Sequence, residues 1–102
     1  MRRAAKVDDS HQEFVRALRK ADFSVSSLAA VGKGMGDALA GFGGRTFLLE
    51  FKDGEKPPSA RKLTPAQVKF RQEWRGDYTL IETLADVEHF VMQVKYDLKE
   101  WE

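Results

Sequence analysis

Cysteine is absent from the chain, which excludes disulfides, thiolate zinc sites and a cysteine nucleophile and fits a reducing compartment. Long apolar runs are missing as well. No segment approaches the roughly 20 apolar residues that span a bilayer. The opening Met1-Arg2-Arg3, followed by Val7-Asp8-Asp9, lacks the apolar centre of a signal peptide. A soluble protein of the cytoplasm is therefore expected. An excess of either charge is also lacking: Lys and Arg number 17 against 16 Asp and Glu, for a formal net charge of +1. Any electrostatic site must then come from local clustering, as at Arg2 and Arg3, at Arg16, Arg19 and Lys20, or between Lys56 and Arg75. Runs of this kind are ordinarily solvated faces unless something else points to phosphate. The two histidines, His11 and His89, stand far apart with no second histidine at metal-ligand spacing, so neither suggests zinc. Gly32-Lys33-Gly34-Met35-Gly36 lacks the Gly-Lys-Ser/Thr ending of a phosphate-binding loop and leads into a strand rather than a helix.

What is present suits one compact domain over residues 1–102, with 42% hydrophobic residues to form a core. Phe14, Val15, Ala17 and Leu18 recur at helical spacing within 11–20, with Asp9 or Ser10 as cap. Residues 25–31 are short, small and apolar, as a buried strand would be. A Gly43-Gly44 pair between the apolar runs 37–42 and 45–52 signals an antiparallel hairpin. Residues 53–63, with Pro57 and Pro58 among charges, form a loop. Thr64-Pro65 opens a second helix that stops near Gly76; its Phe70 and Trp74 are expected in the core. Residues 78–81 make a short strand, and Thr83-Leu84-Ala85-Asp86 caps a last helix toward Leu98. The expected order, α-β-β-β-α-β-α, describes an α/β fold: a small mixed sheet flanked by helices.

The hairpin concentrates the chemistry. Antiparallel pairing sets the start of one strand beside the end of the next, so Asp37 and Glu50 become neighbours. Residues two apart on a strand share a face, which adds Lys52 to the same spot and turns Phe51 the other way. Two adjacent carboxylates repel unless a proton or cation lies between them, and hard oxygen donors suit magnesium or manganese. Such an ion can polarise a phosphoryl oxygen and activate water, with Lys52 orienting that water or meeting the charge that builds on phosphorus. Spacing alone fits a solvated Glu-x-Lys strand edge equally well.

An aspartate, a hydrophobic hairpin and then Glu-x-Lys resembles the PD-(D/E)XK nuclease superfamily. More narrowly, Gly34-Met35-Gly36-Asp37-Ala38-Leu39, Thr46-Phe47-Leu48-Leu49-Glu50-Phe51-Lys52 and Leu63-Thr64-Pro65-Ala66-Gln67 resemble the VRR-NUC (virus-type replication-repair nuclease) family. The resemblance implies a restriction-endonuclease-like fold and a Mg2+- or Mn2+-dependent endonuclease acting on DNA, branched as a four-way junction or a flap, in phage or bacterial replication and repair. It assigns Asp37, Glu50 and the carbonyl of Phe51 to the metal, and makes Lys52 the catalytic lysine. It matches Glu13 to an acid on the first helix that approaches the metal, and Gln67 to a glutamine that positions the lysine or the phosphate. Gly36 departs from the family, which often has proline before the aspartate.

On this reading Lys33, Lys56, Arg61, Lys62 and Lys69 would contact DNA phosphates. A nuclease acting on linear ends or RNA, and a DNA-binding or assembly protein of the same fold without activity, are the alternatives. One small domain carries one metal site, whereas cutting both strands of a junction needs two, so a homodimer is expected, with Phe42 and the aromatic residues of the last helix as its patch.

Overall fold

The computed structural model describes residues 9–101, with Arg2 and Arg3 outside that range. Its elements follow the order read from the sequence. They are α1 (Asp9–Lys20), β1 (Ser24–Ser27), β2 (Ala38–Phe42), β3 (Arg45–Phe51), a short 3-10 turn at Pro58–Ala60, α2 (Pro65–Glu73), β4 (Tyr78–Ile81) and α3 (Leu84–Trp101). Together they make a mixed four-stranded sheet, ordered β1-β2-β3-β4, with three helices. The first three strands pair antiparallel and β4 joins β3 in parallel. A parallel partner requires a crossover, and α2 supplies it.

Alternation along the strands divides the sheet into two unlike faces. Phe47, Leu49 and Phe51 of β3, Ala38 and Ala40 of β2 and Ile81 of β4 face the core. There they meet Phe14 and Leu18 of α1, Phe23, and Val87, Phe90 and Val94 of α3. Phe90 stands edge-on to Phe47 at 5.2 Å and tilts against Phe23 at 5.6 Å. The residues between these, Leu48, Glu50, Tyr78 and Leu80, turn to the other face, which α2 covers. No residue of α2 is buried, so that helix rests on the sheet rather than entering a core.

Local chemistry explains where elements begin and end. Gly43 and Gly44 carry φ of 59° and 81°, the left-handed pair that a two-residue hairpin turn between Phe42 and Arg45 demands. Thr64 and Gln67 form a reciprocal capping box with Pro65 at the first helical position of α2. Asp86 takes the amides of Glu82 and Thr83 at 2.8 and 3.2 Å while Thr83 Oγ1 accepts from the Asp86 amide, a capping box closed by Asp.

Three expectations need correction. The strand expected over 25–31 is confined to Ser24–Ser27, because its partner β2 starts at Ala38 and leaves nothing to pair with beyond Ser27. The chain turns instead, with Leu28 donating to the Asp37 carbonyl at 2.9 Å. Asp9 and Ser10 lie inside the first turn of α1 rather than ahead of it. Phe70 and Trp74 are not core residues: they stack on each other at 5.4 Å, Phe70 half-buried against Tyr78 and Trp74 exposed, and the Trp74 indole nitrogen donates to the Asp77 carbonyl. The Trp101 side chain lies outside what is described.

Candidate functional site

The β2–β3 register runs Ala38 to Leu49, and one further step sets Asp37 opposite Glu50. The Asp37 amide donates to the Leu49 carbonyl at 2.8 Å, extending the ladder past the last paired residue of β2. The Phe51 amide has no further strand residue to meet and donates instead to Asp37 Oδ2 at 2.7 Å. In an antiparallel strand the N–H and C=O of one residue point the same way, so the Phe51 carbonyl also opens toward the space beside Asp37. Two carboxylates and one peptide oxygen therefore converge where β2 begins and β3 ends.

Glu50 is the most confined of these groups, at 2% exposure and on the face under α2. Burial pushes its carboxyl up to about 8; the hydrogen bond and like charge from Asp37 push the same way, while Lys52 and Tyr78 pull it down. Each oxygen of Glu50 has a donor. Gln67 Nε2 reaches Oε2 at 3.1 Å and the Tyr78 hydroxyl reaches Oε1 at 3.3 Å. Tyr78 is itself pushed up to about 12, first by burial and then by Glu50. Lys52 Nζ stands 4.0 Å from Glu50 Oε2 and donates to Gln67 Oε1 at 3.2 Å.

Gln67 organises this cluster with a single amide. Its oxygen accepts from the Thr64 amide at 2.8 Å and from Lys52, and its nitrogen faces the carboxylate. The opposite orientation would set an NH2 against two donors, so the network fixes the flip. The capping box of α2 and the position of Lys52 thus share one side chain.

The structure brings Asp37, Glu50, Phe51, Lys52 and Gln67 together. Glu13 does not join them. Phe14 and Leu18 anchor α1 in the core, and that rotation turns Gln12, Val15, Arg16 and Arg19 toward the cavity beside Asp37 while Glu13 stays exposed on another side. Among the cationic candidates, Lys33, Lys56, Lys62 and Lys69 are exposed. Arg61 is a strut: its guanidinium is paired with Glu82 at 3.1 Å, tying the loop 53–63 to the end of β4. Sequence reasoning missed Tyr78, because the parallel pairing of Leu48 with Tyr78 leaves no local signature.

Among the described residues no three His, Cys, Asp or Glu side chains group tightly enough to hold a metal. Zinc and calcium generally take more protein ligands than this pair offers. Magnesium fits, since it is commonly held by one or two carboxylates and completes its shell with water and substrate oxygens. The adjacent carboxylate pair is itself a place where a cation would relieve repulsion.

No family model, curated protein or solved structure matches this chain. Its chemistry therefore rests on the site.

Proposed function

We propose that this protein is a magnesium- or manganese-dependent endonuclease that hydrolyses DNA phosphodiesters, a PD-(D/E)XK-type domain similar to the VRR-NUC family. The observation that carries the reading is the meeting of Asp37 and Glu50 where β2 begins and β3 ends, with Lys52 4.0 Å from Glu50. Asp37, Glu50 and the Phe51 carbonyl would hold the ion. When bound, it supplies positive charge to a phosphoryl oxygen and eases deprotonation of water. Lys52 directs its Nζ hydrogens at the attacking water or the phosphoryl oxygen, and Gln67 keeps that ammonium group from swinging away. Tyr78 and Gln67 hold the Glu50 carboxylate in one orientation. The DNA target is a branched structure, a four-way junction or a flap, met in replication or repair.

Incubating labelled duplex, flap and four-way-junction DNA with the protein tests this reading. Cleavage is expected in magnesium or manganese. Calcium should support binding with poor turnover, since its longer and looser coordination places water and phosphate less well. Full activity in excess chelator would overturn the metal assignment. Binding with no cleavage in any metal would make the chain a DNA-binding protein of this fold.

A further inference from the structure

A cavity of about 620 Å3 opens between α1 and the edge formed by β1 and β2, with Asp37 at its lip. Val15, Val25 and Ala38 line it with apolar surface, and Arg16 and Arg19 stand over it from α1. The His11 ring closes against Phe51 at 5.3 Å. The arginines lie three residues apart on one helix, and such residues are neighbours on its surface. Arg19 spends one hydrogen bond on the Val25 carbonyl at 3.0 Å, which pins the guanidinium at the rim and leaves its other N–H groups for a ligand. Among the described residues Asp37 is the only carboxylate lining the cavity. The surface thus runs from the proposed metal site, over apolar carbon, to paired guanidinium groups.

We infer that this cavity seats an unpaired DNA strand on one side of the scissile phosphate, with backbone phosphates on Arg16 and Arg19 and a sugar and base on the apolar floor. The inference rests on the nuclease reading and narrows its substrate class. Arginine forks match phosphate geometry, and an apolar floor accepts a sugar or base of any sequence. The volume is that of a small-ligand pocket, with room for a nucleotide or two and none for a duplex. A strand that enters has to leave its complement. Cleavage is therefore directed to places where a strand is already splayed, such as a flap or a branch point.

Two measurements on the full chain test the inference. In calcium, a fluorescein-labelled tetradeoxythymidylate is titrated while NMR follows Val15, Val25 and Ala29, and anisotropy gives the affinity. In magnesium, cleavage of a fully paired duplex is compared with that of a splayed one. Shifts at those residues are expected, with roughly tenfold weaker binding in Arg16→Glu and in Ala29→Trp, which blocks the cavity from an exposed position. Roughly tenfold preference for the splayed DNA should appear and be lost in Ala29→Trp. If either variant fails to fold, the shift map of the unaltered chain decides. Cleavage of DNA with no shift in the cavity and unchanged affinity in both variants overturns the inference and leaves the nuclease reading standing. Shifts in the cavity with no cleavage of any DNA leave an oligonucleotide site and overturn the catalytic reading instead.

Discussion

Glu50 sets stability against chemistry at a single residue. Its folded-state carboxyl titrates near 8 from an ordinary 4.5, so the fold holds a proton there that the unfolded chain has already released. For an acid raised in this way, the stabilising contribution is complete below about pH 4.5 and is lost as pH rises through 8. Metal-free protein should therefore melt higher at pH 5 than at pH 8.5 as far as this group decides, and magnesium should raise the melting temperature more at the higher pH. Glu50→Gln keeps the volume and removes the charge. Thermal melts should show it more stable than the unaltered chain above pH 8, by about 4–8 °C for each kcal/mol recovered. It should lose cleavage, as should Asp37→Ala and Lys52→Ala, each by roughly a hundredfold or more. Any of the three cutting at the original rate would remove that residue from the mechanism. The trio was legible in the sequence because strand period and a Gly-Gly turn fix register without tertiary information. Glu13 was misplaced because the rotation of α1 is set by where Phe14 and Leu18 find the core, which spacing along one helix does not reveal.

At the scale of elements, α2 is a helix held on by its polar side. Its first turn approaches the Gly32–Gly36 segment so closely that a Cβ on Gly34 would lie 2.5 Å from the Ala66 carbonyl carbon, and Gly34 also has φ of +76°. Gly34→Ala must push the helix outward, taking Gln67 from Glu50 and Lys52. Thr64→Ala removes the cap but spares that bridge, at a cost of about 1 kcal/mol. Hydrogen exchange over 65–73 should quicken in Gly34→Ala, Gln67→Ala and Thr64→Ala, whereas turnover should fall far more in the first two. Equal turnover in Gln67→Ala and Thr64→Ala would reduce Gln67 to a capping residue. The elements themselves were readable from caps, glycines and periodicity. The shortness of β1 and the packing of Phe70 between Trp74 and Tyr78 were not, since both depend on which neighbour each element finds. Lys62 and Lys69 flank this helix start, and Arg61 is already committed to Glu82. Reversing both lysines should weaken DNA binding and flatten its salt dependence by about one unit of slope for each phosphate left without its cation. Unchanged affinity and slope would make them a solvated face.

For the whole molecule, the proposed chemistry raises a geometric problem that one chain does not solve. A single metal site makes one nick per encounter, while opening a junction needs two cuts at a fixed separation, which a two-fold dimer provides with the same patch on each chain. Phe42, one candidate for that patch, is spent elsewhere: it stacks on Phe23 at 4.7 Å beneath Lys95. The last helix supplies a better one. Met92 and Tyr96 are 70% and 60% exposed, one helical turn apart on α3. Met92 also borders an apolar groove of about 370 Å3 between α1 and α3, lined by Ala17, Ala21, Val87 and Val91. A flexible thioether and a tyrosine ring beside such a groove are the side chains that protein interfaces favour, and a two-fold axis would lay each Met92 toward the partner's groove. Light scattering at micromolar concentration should give the mass of two chains, and Met92→Glu with Tyr96→Glu should give one. That double variant leaves Asp37, Glu50 and Lys52 untouched, so it should still nick single strands while losing paired cuts of a four-way junction. A monomeric mass for the unaltered protein, with paired nicking undiminished, would sink the dimer and require each chain to visit the junction twice.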